Sequence, residues 1–118
     1  MIIKGNVNNE ASEHRGWIMG HFMPDSSPFK TSNVEVKWGN HKAGDAKKSF
    51  AKNIKAQSLF ILLKGKETFT FPDITITLDK EGDYIFYSAG VAHSWIADED
   101  CLNLTIRWPS VPDDQKQV

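Results

Sequence analysis

The sequence is poor in cysteine, which limits the chemistry it can carry. Cys101 is the single cysteine among 118 residues, so the chain cannot form an internal disulfide. It begins the apolar run CLNLTI, where a thiol usually behaves as a small buried hydrophobe. No histidine or basic residue stands beside it in the sequence to activate the thiol. A structural role for Cys101 is therefore favoured over a reactive one.

Charge of one sign and long apolar runs are also lacking. The chain has 14 lysines and arginines against 15 aspartates and glutamates, for a formal net charge of -1, which argues against a nucleic-acid partner. No stretch approaches the roughly 20 apolar residues of a membrane helix, and the first ten residues show no secretion signal. We therefore expect a soluble, cytoplasmic protein without a membrane partner.

The composition is that of one small folded unit. Hydrophobic residues make up 40% of the chain and aromatic residues 11%, which is enough for one core in a domain of ordinary size. Residues 1–14 lack sustained alternation and are predicted to form an N-terminal arm. Residues 15–108 are predicted to form the domain. Residues 109–118, with two prolines, are predicted to form a frayed tail.

Short apolar or alternating segments separated by Gly, Pro and Asp turns predict an all-β sandwich or small barrel. In residues 33–39, Val34, Val36 and Trp38 alternate with Glu35 and Lys37, so the apolar three are assigned to the core. Further strand candidates lie at residues 15–23, 58–63, 67–71, 74–78, 84–87, 93–96 and 102–108.

Two segments leave alternatives open. In residues 41–57, Phe50 and Ile54 stand four apart, as in a helix, but an extended loop fits equally well. The lysines of this segment, at positions 42, 47, 48, 52 and 55, are interpreted as a solvated run rather than an anion site. Arg107 has the opposite parity to its apolar neighbours and fits either a surface ion pair or a clamp for a carboxylate or phosphate.

The segment SLFILL at residues 58–63 is apolar on both faces. A strand of this kind needs cover on both sides, and in a small barrel the interior covers only one. Because exposed apolar patches mark interfaces, we predict that a second copy of the chain covers the other side, giving a homodimer.

The spacing of residues 82–97 carries a family resemblance. Gly82, Gly90 and His93 stand where the second signature of the cupin superfamily has its two glycines and its histidine, whereas Ser88 and Ala97 replace its proline and asparagine. The chain thus resembles a small cupin. This implies a double-stranded jelly-roll β-barrel with a central pocket, and Gly90 is expected to take a positive φ in the turn before His93.

The first cupin signature is degraded in this chain. His41 stands at its first histidine, but Ala43 and Ser58 replace the second histidine and the glutamate. By this resemblance His41 and His93 are ligand positions. The predicted ligand pocket also contains Trp95, which shares the parity of His93, Ser58 at the glutamate position and Gln57 beside it. The metal candidates are His41, His93 and His21, the last because its strand is expected to be buried on both sides.

Three functions remain open from the sequence. The first is a binding barrel in which His93 and Trp95 orient a small molecule, with or without a metal. The second is a metal-dependent cupin enzyme of the oxygenase or isomerase type, using one divalent transition metal (Zn, Fe, Mn or Ni). The third is a dimeric structural module without catalysis.

Overall fold

The structure, a computed structural model, describes residues 1–118 and confirms the all-β prediction. Ten strands form two five-stranded antiparallel sheets that face each other, with strand orders β1-β2-β9-β4-β7 and β10-β3-β8-β5-β6. The two sheets are separate rather than one continuous hydrogen-bonded barrel. The strands are β1 (Trp17–Met19), β2 (Glu35–His41), β3 (Ala46–Asn53), β4 (Gln57–Lys64), β5 (Glu67–Thr70), β6 (Thr75–Leu78), β7 (Tyr84–Tyr87), β8 (His93–Ala97), β9 (Cys101–Trp108) and β10 (Gln115–Gln117).

Helical structure is confined to the N-terminal segment. Helix α1 (Val7–Glu10) is followed by a 3-10 helix at Ala11–His14. Both have four residues, far fewer than a helix needs to cross a bilayer. Residues 7–14 of the predicted arm are therefore helical. Asn8 in α1 accepts a hydrogen bond from the indole Nε1 of Trp38 at 3.0 Å.

Glycine is required at two of the turns. Gly65, between β4 and β5, has a φ of 94°, and a Cβ atom there would overlap the carbonyl oxygen of Asp100. Gly90 has a φ of 85°, which confirms the turn predicted before His93. This turn directs the chain into β8, whose first residue is His93.

The apolar core lies to one side of the sandwich. Its eight buried residues all come from strands β4 to β9, and none comes from β1, β2, β3 or β10. Cys101 belongs to this core as predicted, and its thiol donates to the carbonyl oxygen of Glu99. Burial raises the pKa of Cys101, consistent with a structural role. The core residues are Phe60, Leu62, Phe69, Leu78, Ile85, Tyr87, Ala97 and Cys101.

In strands β2 and β9, the buried side chains other than that of Cys101 are polar rather than apolar. Glu35 is buried at 8% exposure, and its strand neighbour Val36 lies on the opposite face. On β9, Asn103 and Thr105 are buried, whereas Leu104 between them is only partly covered. The assignment of Val34, Val36 and Trp38 to the core is therefore wrong. The polar side of this alternation points between the sheets.

Residues 41–57 contain no helix, and the middle of the segment is a strand rather than a loop. Residues 46–53 are strand β3, which pairs with β8 and β10. A spacing of four residues places two side chains on the same face of a strand as well as of a helix, so the Phe50 and Ile54 pattern could not decide. The segment 15–23 is also shorter as a strand than predicted, since β1 ends at Met19 and His21 lies in a turn.

The C-terminal segment is predicted to be a frayed tail, but the structure contains a strand there. Its strand β10 pairs with β3, and the buried Asp114 accepts hydrogen bonds from the backbone N–H groups of Lys55 and Ala56 at 2.8 and 3.0 Å. Ser110 is also buried. A side chain that satisfies two backbone donors of another loop holds the tail against the sandwich.

Candidate functional site

A cavity of about 210 Å³ lies between the two sheets, beside the apolar core. Strands of both sheets line it, and its charged and titratable side chains other than Tyr87 come from β2, β3, β5, β8 and β9. We refer to it below as the central cavity. These side chains are Lys37, His41, Lys47, Glu67, His93 and Arg107.

His41 is held by a buried carboxylate. Its Nδ1 lies 3.0 Å from Oε1 of Glu67, a residue with no solvent exposure. Asn103 donates from Nδ2 to the same oxygen at 3.4 Å. Because a carboxylate oxygen accepts, Nδ1 of His41 must carry the proton, which leaves Nε2 as the ring nitrogen able to bind a ligand.

The plane of the His41 ring is also fixed. The indole of Trp95 stacks on it with ring centroids 4.4 Å apart and an interplanar angle of 7°. Trp95 thus lines the central cavity together with His41 and His93. Hydrogen bonding along one edge and stacking on one face orient the imidazole before any ligand arrives.

Burial favours the neutral form of His93. Its Nδ1 donates to the carbonyl oxygen of Val91 at 3.1 Å, so Nε2 is again the free nitrogen. Burial lowers the pKa of His93; the Val91 hydrogen bond opposes this, while Arg107 and Lys47 add to it. The ring of Tyr87 packs against His93 at 4.5 Å, and burial raises the pKa of that phenol. Both side chains are therefore uncharged near neutral pH.

Three cations face the same cavity. Burial and the nearby Arg107 lower the pKa of Lys37 and of Lys47. Lys47 donates to Oε1 of Gln115 at 2.8 Å, and neither lysine has a carboxylate within ion-pair distance. Arg107 has one, Glu35, at 3.5 Å, but its Nε is buried without any hydrogen-bond partner. The guanidinium lies 4.9 Å from the Trp17 ring centroid.

Three of the residues expected at the site lie elsewhere. Nδ1 of His21 is 2.7 Å from the hydroxyl of Ser110, outside the central cavity, because His21 occupies a turn beyond β1. Gln57 accepts from the backbone N–H of Ala89 at 3.2 Å. Ser58 is fully buried opposite Tyr87 on the neighbouring strand and does not line the cavity.

The residues that the sequence interpretation missed are polar partners on strands. Glu67 and Asn103 support His41. The sequence interpretation makes Lys47 part of a solvated run and places Lys37 on the strand face opposite the predicted core. For Lys37 the sequence does contain a signal, because Glu35, Lys37 and His41 share one parity on β2. This shared parity indicates a site only if the polar side of the strand faces inward.

No family model matches the sequence, and no curated protein matches it. Solved structures do match. A protein with a double-stranded β-helix domain from Klebsiella pneumoniae superposes with a TM-score of 0.65 at 15% identity, covering 75% of this chain and 76% of that one. A cupin-2 domain protein from Shewanella frigidimarina gives 0.58 at 22% identity, covering 86% and 90%.

This chain has the cupin fold. The Streptomyces protein Pac13, described as a nucleoside dehydratase, is another similar cupin structure, with a TM-score of 0.64 at 11% identity over 75% of this chain and 70% of that one. At these identities the likeness concerns the fold. The jelly-roll architecture implied by the cupin resemblance is confirmed.

Cupins often hold a metal ion. A first-row metal needs three or four His, Cys, Asp or Glu ligands, and no three such side chains converge here. His41 and His93 line one cavity, but His21 does not join them. Three cationic side chains would also repel a metal ion. The central cavity does not fit a divalent metal.

Proposed function

We propose that this cupin-fold protein binds a small organic anion in its central cavity. One observation carries the proposal: Lys37 and Lys47, neither of them paired with a carboxylate, face the same cavity as Arg107. The single carboxylate on the cavity wall, Glu67, is occupied by His41 and Asn103. The wall therefore has an excess of positive charge.

Such an arrangement is unfavourable without a counter-ion. A cation removed from water loses hydration free energy, and the lowered pKa values of Lys37 and Lys47 reflect this loss. The buried Nε of Arg107 adds a donor without an acceptor. An anionic group of the ligand supplies acceptors and negative charge to all three, and hydrogen bonds between ions are the strong ones.

The rest of the wall favours a ligand that also carries hydroxyl or carbonyl groups. Nε2 of His41 and of His93 can each accept a hydrogen bond, and the phenol of Tyr87 stays protonated and can donate one. The volume of about 210 Å³ restricts the ligand to a small molecule. A compact sugar acid, oxo acid or sugar phosphate has these properties.

Calorimetric titration with matched pairs of compounds tests the proposal. Glucuronate and glycerol 3-phosphate should bind, whereas glucose and glycerol, which lack the anionic group, should not. Affinity should fall as salt is raised. Lys47→Gln should weaken anion binding by about tenfold or more, because it removes a charged hydrogen bond. Lys48→Gln, at the exposed next position of β3, is the matched control.

Two results would contradict the proposal. One is equal binding of glucuronate and glucose. The other is a folded protein that binds neither anion at millimolar concentration. Phosphate and carboxylate ligands are distinguished by which of the two anions binds more tightly.

We also propose that the outer face of the first sheet binds a second copy of the chain. Leu59 and Ile61 on β4 pair with Phe86 and Tyr84 on β7, and all four point away from the core. Tyr84 is 67% exposed and Phe86 is 51% exposed. The ring of Trp108 on β9 stacks near Phe86 at 6.2 Å. A contiguous apolar surface of this kind supports self-association.

A further inference from the structure

We propose that the bound anion is a carbonyl compound and that Nε2 of His41 removes and returns a proton on the carbon next to its carbonyl group. The inference rests on the proposed function, since the anionic group must first be held by the cations of the central cavity. It assigns a reaction class, enolisation with return of the proton to the same carbon.

The support of His41 is that of a general base rather than of a simple hydrogen-bonding residue. Glu67 is completely buried, and its second oxygen, Oε2, has no hydrogen-bond partner. Its hydrogen-bond partners are His41 and Asn103. A carboxylate in this position fixes the tautomer of the imidazole and stabilises the imidazolium that forms when Nε2 takes a proton. Glu67 is thus a positioning residue.

The reaction also requires groups that stabilise the negative charge that develops on the substrate. When the C–H bond breaks, its electron pair moves into a carbon–carbon double bond and the carbonyl oxygen becomes an enolate oxygen. Lys37 and the neutral phenol of Tyr87 face the same cavity and can donate hydrogen bonds to it. Preorganised hydrogen-bond donors are an effective means of stabilising such an oxyanion.

The step balances without an added reagent. The proton leaves carbon and forms an N–H bond on His41, and the imidazolium later returns it to carbon while the enolate collapses to the carbonyl. No oxidant or reductant is consumed. Neutral His93 accepts a hydrogen bond at Nε2 from a hydroxyl group of the ligand, which separates its role from that of His41.

Hydrogen–deuterium exchange tests the step directly. The protein is incubated in D₂O with 2-oxobutyrate or dihydroxyacetone phosphate, and proton NMR follows loss of the signal next to the carbonyl. Exchange should exceed the buffer rate for these anions but not for 2-butanone or dihydroxyacetone, which lack the anionic group. The two anions distinguish a carboxylate substrate from a phosphate substrate.

Variants separate catalysis from binding. His41→Gln should slow exchange by about 100-fold or more, in the range for loss of a general base, while the anion still binds through the cations of the central cavity. Added imidazole should partly restore exchange in His41→Ala. Glu67→Gln should lower kcat for exchange with little change in KM, because the imidazolium formed in the step loses its stabilising partner. His14→Gln, in the 3-10 helix away from the cavity, is the matched control.

The outcomes are distinct. If the protein binds anions but exchanges neither probe faster than buffer, the proton-transfer inference fails and the anion-binding function stands. If exchange persists unchanged in His41→Gln, a different base acts and the inference also fails. If no anion binds and none exchanges, both proposals fail. Exchange that requires the anionic group and His41 supports both.

Discussion

Gly39 on β2 and Asn103 on β9 face each other so closely that a Cβ atom at position 39 would overlap the amide oxygen of Asn103. The constraint is steric, since the φ of Gly39 is not in the left-handed region. Asn103 in turn donates to Glu67, which holds His41. The absence of a side chain at position 39 therefore allows the support of His41 to form.

Gly39→Ala is expected to destabilise the protein by about 1 to 3 kcal/mol, as an added methyl group does in a packed interior. It should also weaken exchange catalysis, because Asn103 must move. Urea unfolding measures the first effect. In the double variant with Asn103→Ala the clash is gone, so its loss of stability should be smaller than the sum of the two single losses. Strict additivity would show that the two residues do not interact.

Replacing Lys37 is expected to stabilise the free protein. Burial and Arg107 lower the pKa of Lys37, so its charge is unfavourable in the folded state at neutral pH. Lys37→Met should raise the free energy of unfolding by about 0.5 to 2 kcal/mol and weaken anion binding. The stability difference should narrow as the pH rises through the lowered pKa, where wild-type Lys37 loses its proton. Lys48→Met should show neither effect.

His93 should make the protein sensitive to mild acid. Burial, partly opposed by the Val91 hydrogen bond, lowers its pKa below the ordinary 6.5, so the unfolded chain binds the proton more readily. Stability is then lost as the pH falls below about 6.5 towards the lowered pKa, by at most about 1.4 kcal/mol per pH unit. His93→Gln should flatten this slope between pH 7 and 5 in urea unfolding. An equal slope in both proteins would contradict the assignment.

Phe86→Lys should dissociate the proposed dimer, because it places a charge in the centre of the apolar outer face. Light scattering at micromolar concentration should give a dimer mass for the wild type and a monomer mass for the variant. Ile74→Lys, at a residue 57% exposed before β6 in the other sheet, should leave the dimer intact. A wild-type monomer would contradict self-association through this face.

The sequence predicts the fold better than the site. The turns at Gly82 and Gly90 can be predicted locally, because glycine takes a positive φ whatever the rest of the chain does. The position of His93 follows from its spacing after these glycines. Which side of β2 faces the interior cannot be predicted from local chemistry. Hydrophobic alternation assigns Val36 to the core, and only the polar cavity between the sheets explains why Glu35 is buried instead.

The support of His41 could not be predicted for a related reason. Glu67 follows His41 by 26 residues and Asn103 follows it by 62, so their contacts depend on the pairing of sheets rather than on local pattern. Lys47 likewise resembles a solvated residue in sequence. Its strand, β3, places it on the cavity side, whereas Lys48 beside it is exposed.

The placement of the apolar core on β4 to β9 implies that strands outside this core unfold locally while the core stays folded. Strand β10 has only β3 as a neighbour, spans three residues and supplies Gln115, which Lys47 binds. Its amides should exchange with solvent through local opening, long before those of β4, which lies between two neighbours. Each such opening uncovers Lys47 while the apolar cluster stays packed, so the frequency of this local opening sets an upper limit on how fast a ligand enters by that route.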